Sequence, residues 1–466
     1  MPTSLQIDNP SPRGGQSYVL RGGTILPVDD KASAGPADLL IIDGQIQAIG
    51  PSLPAPPSVP VLDCRNSIVM PGLVQAHIHL CQTLCRGRAD DLNLLDWLRL
   101  RLLPYEAALS EADITLAAQL GVAELLLSGT TAILDMGTVR HQDALCSAVA
   151  ATGLRATVGK AMMDYGDDLP AALRETTHES LAESDALCRR WHGAADGLLR
   201  YAYAPRFVLS CSDALLRGVG ERLADGARRS PADAPRLHTH AAEQPDEVAL
   251  VPARYGQGNI DALASLGLSG PQAVLAHCVH LGAGEMARLA SDGTHVAHCP
   301  SSNLKLGSGI APIAELLQAG VSVAIGADGA PCNNRLDGLT ELRLAALLQK
   351  GLRGPTALPA AQALHLATQG GADALGLGHR IGSLTVGKRA DITVVSTAAP
   401  HLLPSHSAAS SIVYAATAAD VRHVLVDGRL RVEAGALHPD TGLDVDRLRA
   451  QLAERMPALF RRAGLA

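Results

Sequence analysis

Aromatic side chains are scarce in this chain of 466 residues: Phe, Trp and Tyr make up only 2% of it, and Phe occurs only at positions 207 and 460. Lysine is nearly as rare, at 31, 160, 305, 350 and 388. With so few of either, Phe207 and Lys160, both near expected strand ends, stand out. The formal net charge is -7 with Lys and Arg scattered, so the basic stripe that nucleic acid or an anionic lipid surface needs is missing. The nine cysteines form an odd set without repeating spacing, which excludes a disulfide framework and a Cys-x-x-Cys zinc site. No apolar signal segment opens the sequence, and no run approaches the ~18 apolar residues of a membrane span. The expectation is a cytoplasmic protein acting on a small molecule, with neither nucleic acid nor membrane as partner.

What is present is apolar content: 47% hydrophobic residues can bury a large core, enough for one barrel and a smaller satellite. Residues 1–16 are rich in Pro, Ser and Gly and read as a loose arm. Short β-type segments follow at 18–25, 38–42 and 45–49, with Asp43-Gly44 as a hairpin turn, and the pattern returns at 390–396 and 421–426 before Asp427-Gly428. This symmetry predicts a β-sandwich built from both chain ends, residues 17–68 and 382–435, followed by a helical segment at 436–466. Between the ends, short apolar runs alternate with helical patterns, which predicts a (β/α)8 TIM-type barrel over residues 69–381, of α/β class. Its eight strands are expected near 73–79, 131–136, 155–162, 200–206, 236–241, 273–278, 294–299 and 321–328.

Catalytic groups of such a barrel sit at the C-terminal strand ends, so the polar residues there are the informative ones. The first strand ends His77-Ile78-His79, and the strand period of two puts both imidazoles on one face. The fifth carries His238, His240 and then Glu243; the sixth ends at His277 and the eighth at Asp328. Taken singly, each has an ordinary explanation as a buried, hydrogen-bonded histidine or a turn aspartate. Together at the ends of four strands they are the donor types of a catalytic zinc site with an open position. A binuclear site would need a bridging lysine at the end of the fourth strand, and residues 198–210 contain none.

The stretches Met70-Pro71-Gly72-Leu73-Val74-Gln75-Ala76-His77-Ile78-His79, His240-Ala241-Ala242-Glu243, Ala276-His277-Cys278-Val279-His280 and Gly326-Ala327-Asp328-Gly329 resemble the amidohydrolase superfamily over residues 18–435. Within it, His298-Cys299-Pro300-Ser301-Ser302-Asn303-Leu304-Lys305-Leu306 resembles the branch of triazine hydrolases, guanine deaminases and 5'-methylthioadenosine or S-adenosylhomocysteine deaminases. The resemblance implies one divalent metal per chain, zinc with iron as the alternative, on His77, His79, His240 and Asp328. It leaves His238 a structural role, makes Glu243, His277 and Asp328 the catalytic groups, and suggests a homodimer or larger assembly. Gln82, Arg206, Phe207 and the segment around Lys160 look like guanine deaminase, where the Gln, Arg and Phe grip the base. Trp97 and Glu106 match positions lining a nucleoside site, with the glutamate on the ribose hydroxyls. Residues 84–92 are closer to the nucleoside deaminases, which carry a histidine where this chain has Arg206. Deamination of a guanine- or pterin-like ring is therefore expected first, an adenosine-type nucleoside second, and a metal-free scaffold on the same fold is the reading of another class.

Overall fold

The computed structural model describes residues 16–29, 33–166 and 169–465. The N-terminal arm expected at 1–16 lies outside the described residues, apart from Gln16. Eight parallel strands close into a barrel: Leu73–His79, Thr130–Met136, Arg155–Gly159, Leu199–Pro205, Arg236–Ala241, Ala273–His277, His295–His298 and Ser322–Ile325, the last pairing back onto the first. Two-residue strands extend the mouth at Ala161–Met162 and Asp328–Gly329. The strands are buried along nearly their whole length, as parallel strands covered by helices on one side and a filled interior on the other must be. The bottom of the interior is packed with small residues, Ala76, Ala132, Ala202, Ala297 and Ala324 among them, against Leu375, Leu377 and Ile381 beyond the Gln369–Ala374 helix.

Both chain ends build one nine-stranded sheet, eight strands in a continuous ladder with Val61–Asp63 paired to Tyr18–Ile25 beside it, in which Tyr18–Ile25 and Ser67–Pro71, from the N-terminal part, lead directly into Ile392–Ser396 and Val421–Val426. Leu20, Ile41 and Ile46 share a core with Ile392, Val394 and Leu425, so the sandwich-like unit is a single sheet whose halves pack together. Asp43-Gly44 and Asp427-Gly428 adopt positive φ at both positions, the turn conformation that Asp-Gly favours. Residues 69–71, which the sequence assigned to the barrel, hydrogen-bond in this sheet instead. The helix Val445–Arg462 lies on Glu111–Leu127, held through Arg455 and Arg462 to the buried Asp113.

One buried ion pair ties sheet to barrel. Arg155, at the start of the third barrel strand, donates from Nε and NH2 to both oxygens of Asp391 at 2.8 and 2.9 Å, and NH2 lies 3.0 Å from Asp427. Side chains 155 and 391 are each only 1% exposed. Removing one charge of such a pair strands the other in a dry environment. Asp391→Asn is therefore expected to lower unfolding stability by about 3 to 5 kcal/mol, read from the shift of the urea denaturation midpoint, whereas an unchanged midpoint would assign the docking to apolar contact alone.

Candidate metal centre and substrate pocket

The first barrel strand delivers His77 and His79 side by side because Gly326 lets the eighth strand pass: a Cβ at 326 would lie 2.8 Å from the His77 Cβ. Gln75 fastens the same junction, accepting from the Ala327 N–H and donating to Leu336 O and Thr130 Oγ1.

Hydrogen bonds to one ring nitrogen of each histidine decide what the other can do. His79 Nδ1 lies 2.7 Å from the carbonyl of Met136 and His240 Nδ1 lies 2.6 Å from that of Arg206, so both carry their proton on Nδ1. Their Nε2 lone pairs then face each other at 3.2 Å with no proton to share. His77 Nδ1 meets His238 Nε2 at 2.7 Å, and its own Nε2 is buried without a hydrogen-bond partner among the described residues, 3.2 Å from Asp328 Oδ1. Burial keeps these rings neutral, pushing His79 down to about 3 and His240 well below the usual histidine range. Burial would raise the Asp328 carboxyl, but the imidazoles packed against it, His77 foremost and then His277 and His79, hold it well below the carboxylate range. One ligand atom from each of His77, His79, His240 and Asp328 lies within 4.8 Å of every other. Converging lone pairs and a carboxylate in a dry pocket repel unless a cation joins them, so the donor set fits a single divalent metal.

Around these four, Glu243 Oε2 lies 3.6 Å from His277 Nε2, which in turn lies 3.9 Å from Asp328 Oδ2. Burial pushes the Glu243 carboxyl up to about 7, so it can hold or release a proton near neutrality. His277 is oriented by Asn303 Oδ1 at 2.8 Å, and Asp328 Oδ2 accepts from Ser302 Oγ at 2.6 Å. Asp328 and His277 both have left-handed backbones, with φ of 61° and 74°. Ser302 and Asn303 were not picked out as site residues from sequence, although both stand in the motif quoted above.

The cavity beside this centre is lined by Gln82, Trp97, Arg206 and Phe207 together with Glu243 and His277. Leu98, Arg206 and Phe207 also line a second, larger apolar recess that includes Leu103, Met163 and Leu209. Glu106 does not line the inner cavity. It is buried behind it, accepting from Gln82 Nε2 at 3.0 Å and from Arg206 NH1 at 2.9 Å, and so sets the pose of both. Lys160, expected in the pocket, is not among its lining residues: its buried ammonium donates to Glu175 Oε1 at 2.6 Å and Ala161 O at 3.2 Å. Gln82 Oε1 and Trp97 Nε1 are buried without hydrogen-bond partners among the described residues, an acceptor and a donor at the cavity wall.

His79→Ala and His240→Ala are each expected to reduce bound zinc from one per chain to below about a tenth of that after dialysis, measured by plasma emission spectrometry. Full occupancy in both variants would remove these residues from the ligand set.

The chain is 39% identical over 442 residues to a 5-methylthioadenosine/S-adenosylhomocysteine deaminase of Moorella thermoacetica, covering 94% of this chain and 98% of that protein. A zinc-bound adenosine deaminase of Xanthomonas campestris superposes with a TM-score of 0.87 at 33% identity, over 96% of this chain and 100% of that one. E. coli guanine deaminase superposes with a TM-score of 0.78 at 31% identity, over 90% and 99%. The amidohydrolase family model matches residues 68–431, and this chain belongs to that family.

Proposed function

We propose that this hydrolase of C–N bonds deaminates an adenosine-type nucleoside, 5'-methylthioadenosine, S-adenosylhomocysteine or 5'-deoxyadenosine, at C6. The observation that carries the reading is the pair of joined chambers. The inner one, beside the metal ligands, suits a flat purine, and the outer apolar recess suits a substituent that a free guanine or pterin lacks. The name of the Moorella relative agrees with this reading. The guanine- or pterin-like reading had rested on Arg206 as a donor to a ring carbonyl, but one arm of that guanidinium is committed to Glu106. A scaffold role leaves the convergent ligand set without a purpose.

A divalent metal held by His77, His79, His240 and Asp328 would polarise the attacking water and lower its pKa. The water oxygen bonds to C6 and the C6–N bond breaks, releasing ammonia and leaving an oxo group. On this reading Glu243 receives a proton from the water, delivers it to ring N1, and carries the next to the departing amine. Asp328 accepts the second water proton and passes it on to Glu243 for that transfer to the departing amine, and His277, held by Asn303, donates toward the oxygen arriving at C6. Gln82 and Arg206, set by Glu106, orient the nucleoside, while Phe207 and Trp97 form apolar walls.

Glu243→Gln should keep metal and fold yet lose about 10² to 10⁴ in kcat, because an amide cannot carry the proton. A loss below tenfold would remove Glu243 from proton transfer. Ammonia release from adenosine, 5'-deoxyadenosine, 5'-methylthioadenosine, S-adenosylhomocysteine, guanine and pterin tests the substrate. At least one adenosine derivative should exceed guanine and pterin by more than about tenfold in kcat/KM, a gap of ~1.4 kcal/mol, and the opposite order would restore the oxo-ring reading.

A further inference from the structure

The lower end of the barrel, opposite the metal ligands, collects several cations, and one of them, Arg236, lacks a hydrogen-bond partner for two of its donors among the described residues. On the fifth strand Arg236, His238 and His240 share one face by the period of two, and His238 and His240 point inward to the site, so Arg236 enters the interior two steps below. Arg200 on the fourth strand has the parity of Ala202, an interior residue, and His295 on the seventh that of Ala297. Gly376 shows how closely two of these side chains converge: a Cβ there would lie 3.2 Å from Arg236 NH1 and 3.9 Å from Arg200 NH1. Arg380, half-buried just beyond, is the charge acting most strongly on Arg200, and Arg200 is the one acting on Arg236.

The acids in reach are already engaged. Asp391 and Asp427 hold Arg155, Asp427 also holds Arg389, and Asp233 pairs with Arg200. Arg236 is 8% exposed and its Nε and NH2 have no hydrogen-bond partner among the described residues. His295 bonds through Nδ1 to Ser322 Oγ at 2.9 Å and supplies no countercharge. Burial pushes the Arg236 guanidinium down to about 10, still cationic at neutral pH. A buried guanidinium with two orphaned donors calls for an acceptor carrying negative charge.

We propose that the chain binds a small inorganic oxyanion, phosphate or sulfate, at the lower end of the barrel, held by Arg236 with Arg200 and Arg380. Planar guanidinium forks match the paired oxygens of such an ion better than they match chloride. The burial of Arg236 limits the occupant to a free ion rather than the end of a larger molecule.

The test is the melting temperature of the metal-loaded, full-length protein, titrated with sodium phosphate and, in parallel, sodium sulfate, against sodium chloride at matched ionic strength. The wild type should show a saturable rise with at least one oxyanion at millimolar concentration that chloride does not reproduce. Arg236→Gln should abolish that rise, and Arg380→Gln should shift its midpoint at least fivefold upward in concentration. If Arg236→Gln does not fold, Arg200→Gln takes its place with the same expectation. No saturable rise with either oxyanion, an equal rise with chloride, or an equal response in the variants would overturn the proposal. So would a crystal grown in phosphate that shows only water at Arg236.

Discussion

Three imidazole lone pairs and one carboxylate oxygen aimed at a single point in a water-poor barrel mouth form an arrangement that is stable only around a cation. The alternative, protonating the rings, is opposed by burial, while the carbonyls of Met136 and Arg206 fix the single proton of His79 and of His240 on Nδ1 and leave Nε2 free to ligate. These carbonyls come from the second and fourth strands while the histidines come from the first and fifth. His79 and His240 are therefore each oriented by a neighbouring strand end, and the site inherits its geometry from barrel closure. Gln75 and Gly326 belong to the same device, since they fix how close the eighth strand, which brings Asp328, comes to the first.

Glu106 has a comparable place in the pocket. A buried carboxylate between an amide and a guanidinium makes Gln82 and Arg206 a single unit, with one oxygen for each. The unit presents to the cavity an unpartnered Gln82 oxygen and what is left of the guanidinium. Recognition then depends on a pre-set network rather than on two independent side chains, and pre-set networks discriminate by leaving a mismatched ligand with unpaired polar atoms. The adjoining recess is apolar and separate in chemistry, so ring recognition and accommodation of a substituent fall to different residues.

The two ends of the barrel use charge in opposite ways. At the upper end the charged and polar groups converge as donors for a metal and as carriers of protons. At the lower end Arg155 is neutralised by Asp391 and locks the sheet in place, and the Arg236 guanidinium keeps two donors without a hydrogen-bond partner among the described residues. The alanine-rich layer between them keeps the two charged ends apart within one small interior.

Residue order alone determined the alternating pattern of the barrel, the Asp-Gly turns of the sheet and the donor residues at the strand ends. Each of these follows from local periodicity or local turn chemistry, which a sequence carries directly. The registry of His77 with His79, and the spacing of His240 to Glu243, likewise lie within a few residues. Contacts between distant segments were decided only in three dimensions. Lys160 looked like a pocket residue because it ends near a strand end, yet Glu175 fifteen positions later holds it away. Glu106 looked like a ligand contact, yet Arg206, one hundred positions on, draws it behind the cavity wall. Asn303 and Ser302 acquire their roles from His277 and Asp328, each 26 positions away. A side chain's partner across such separations is set by strand order and barrel closure, and no local pattern in the sequence encodes it.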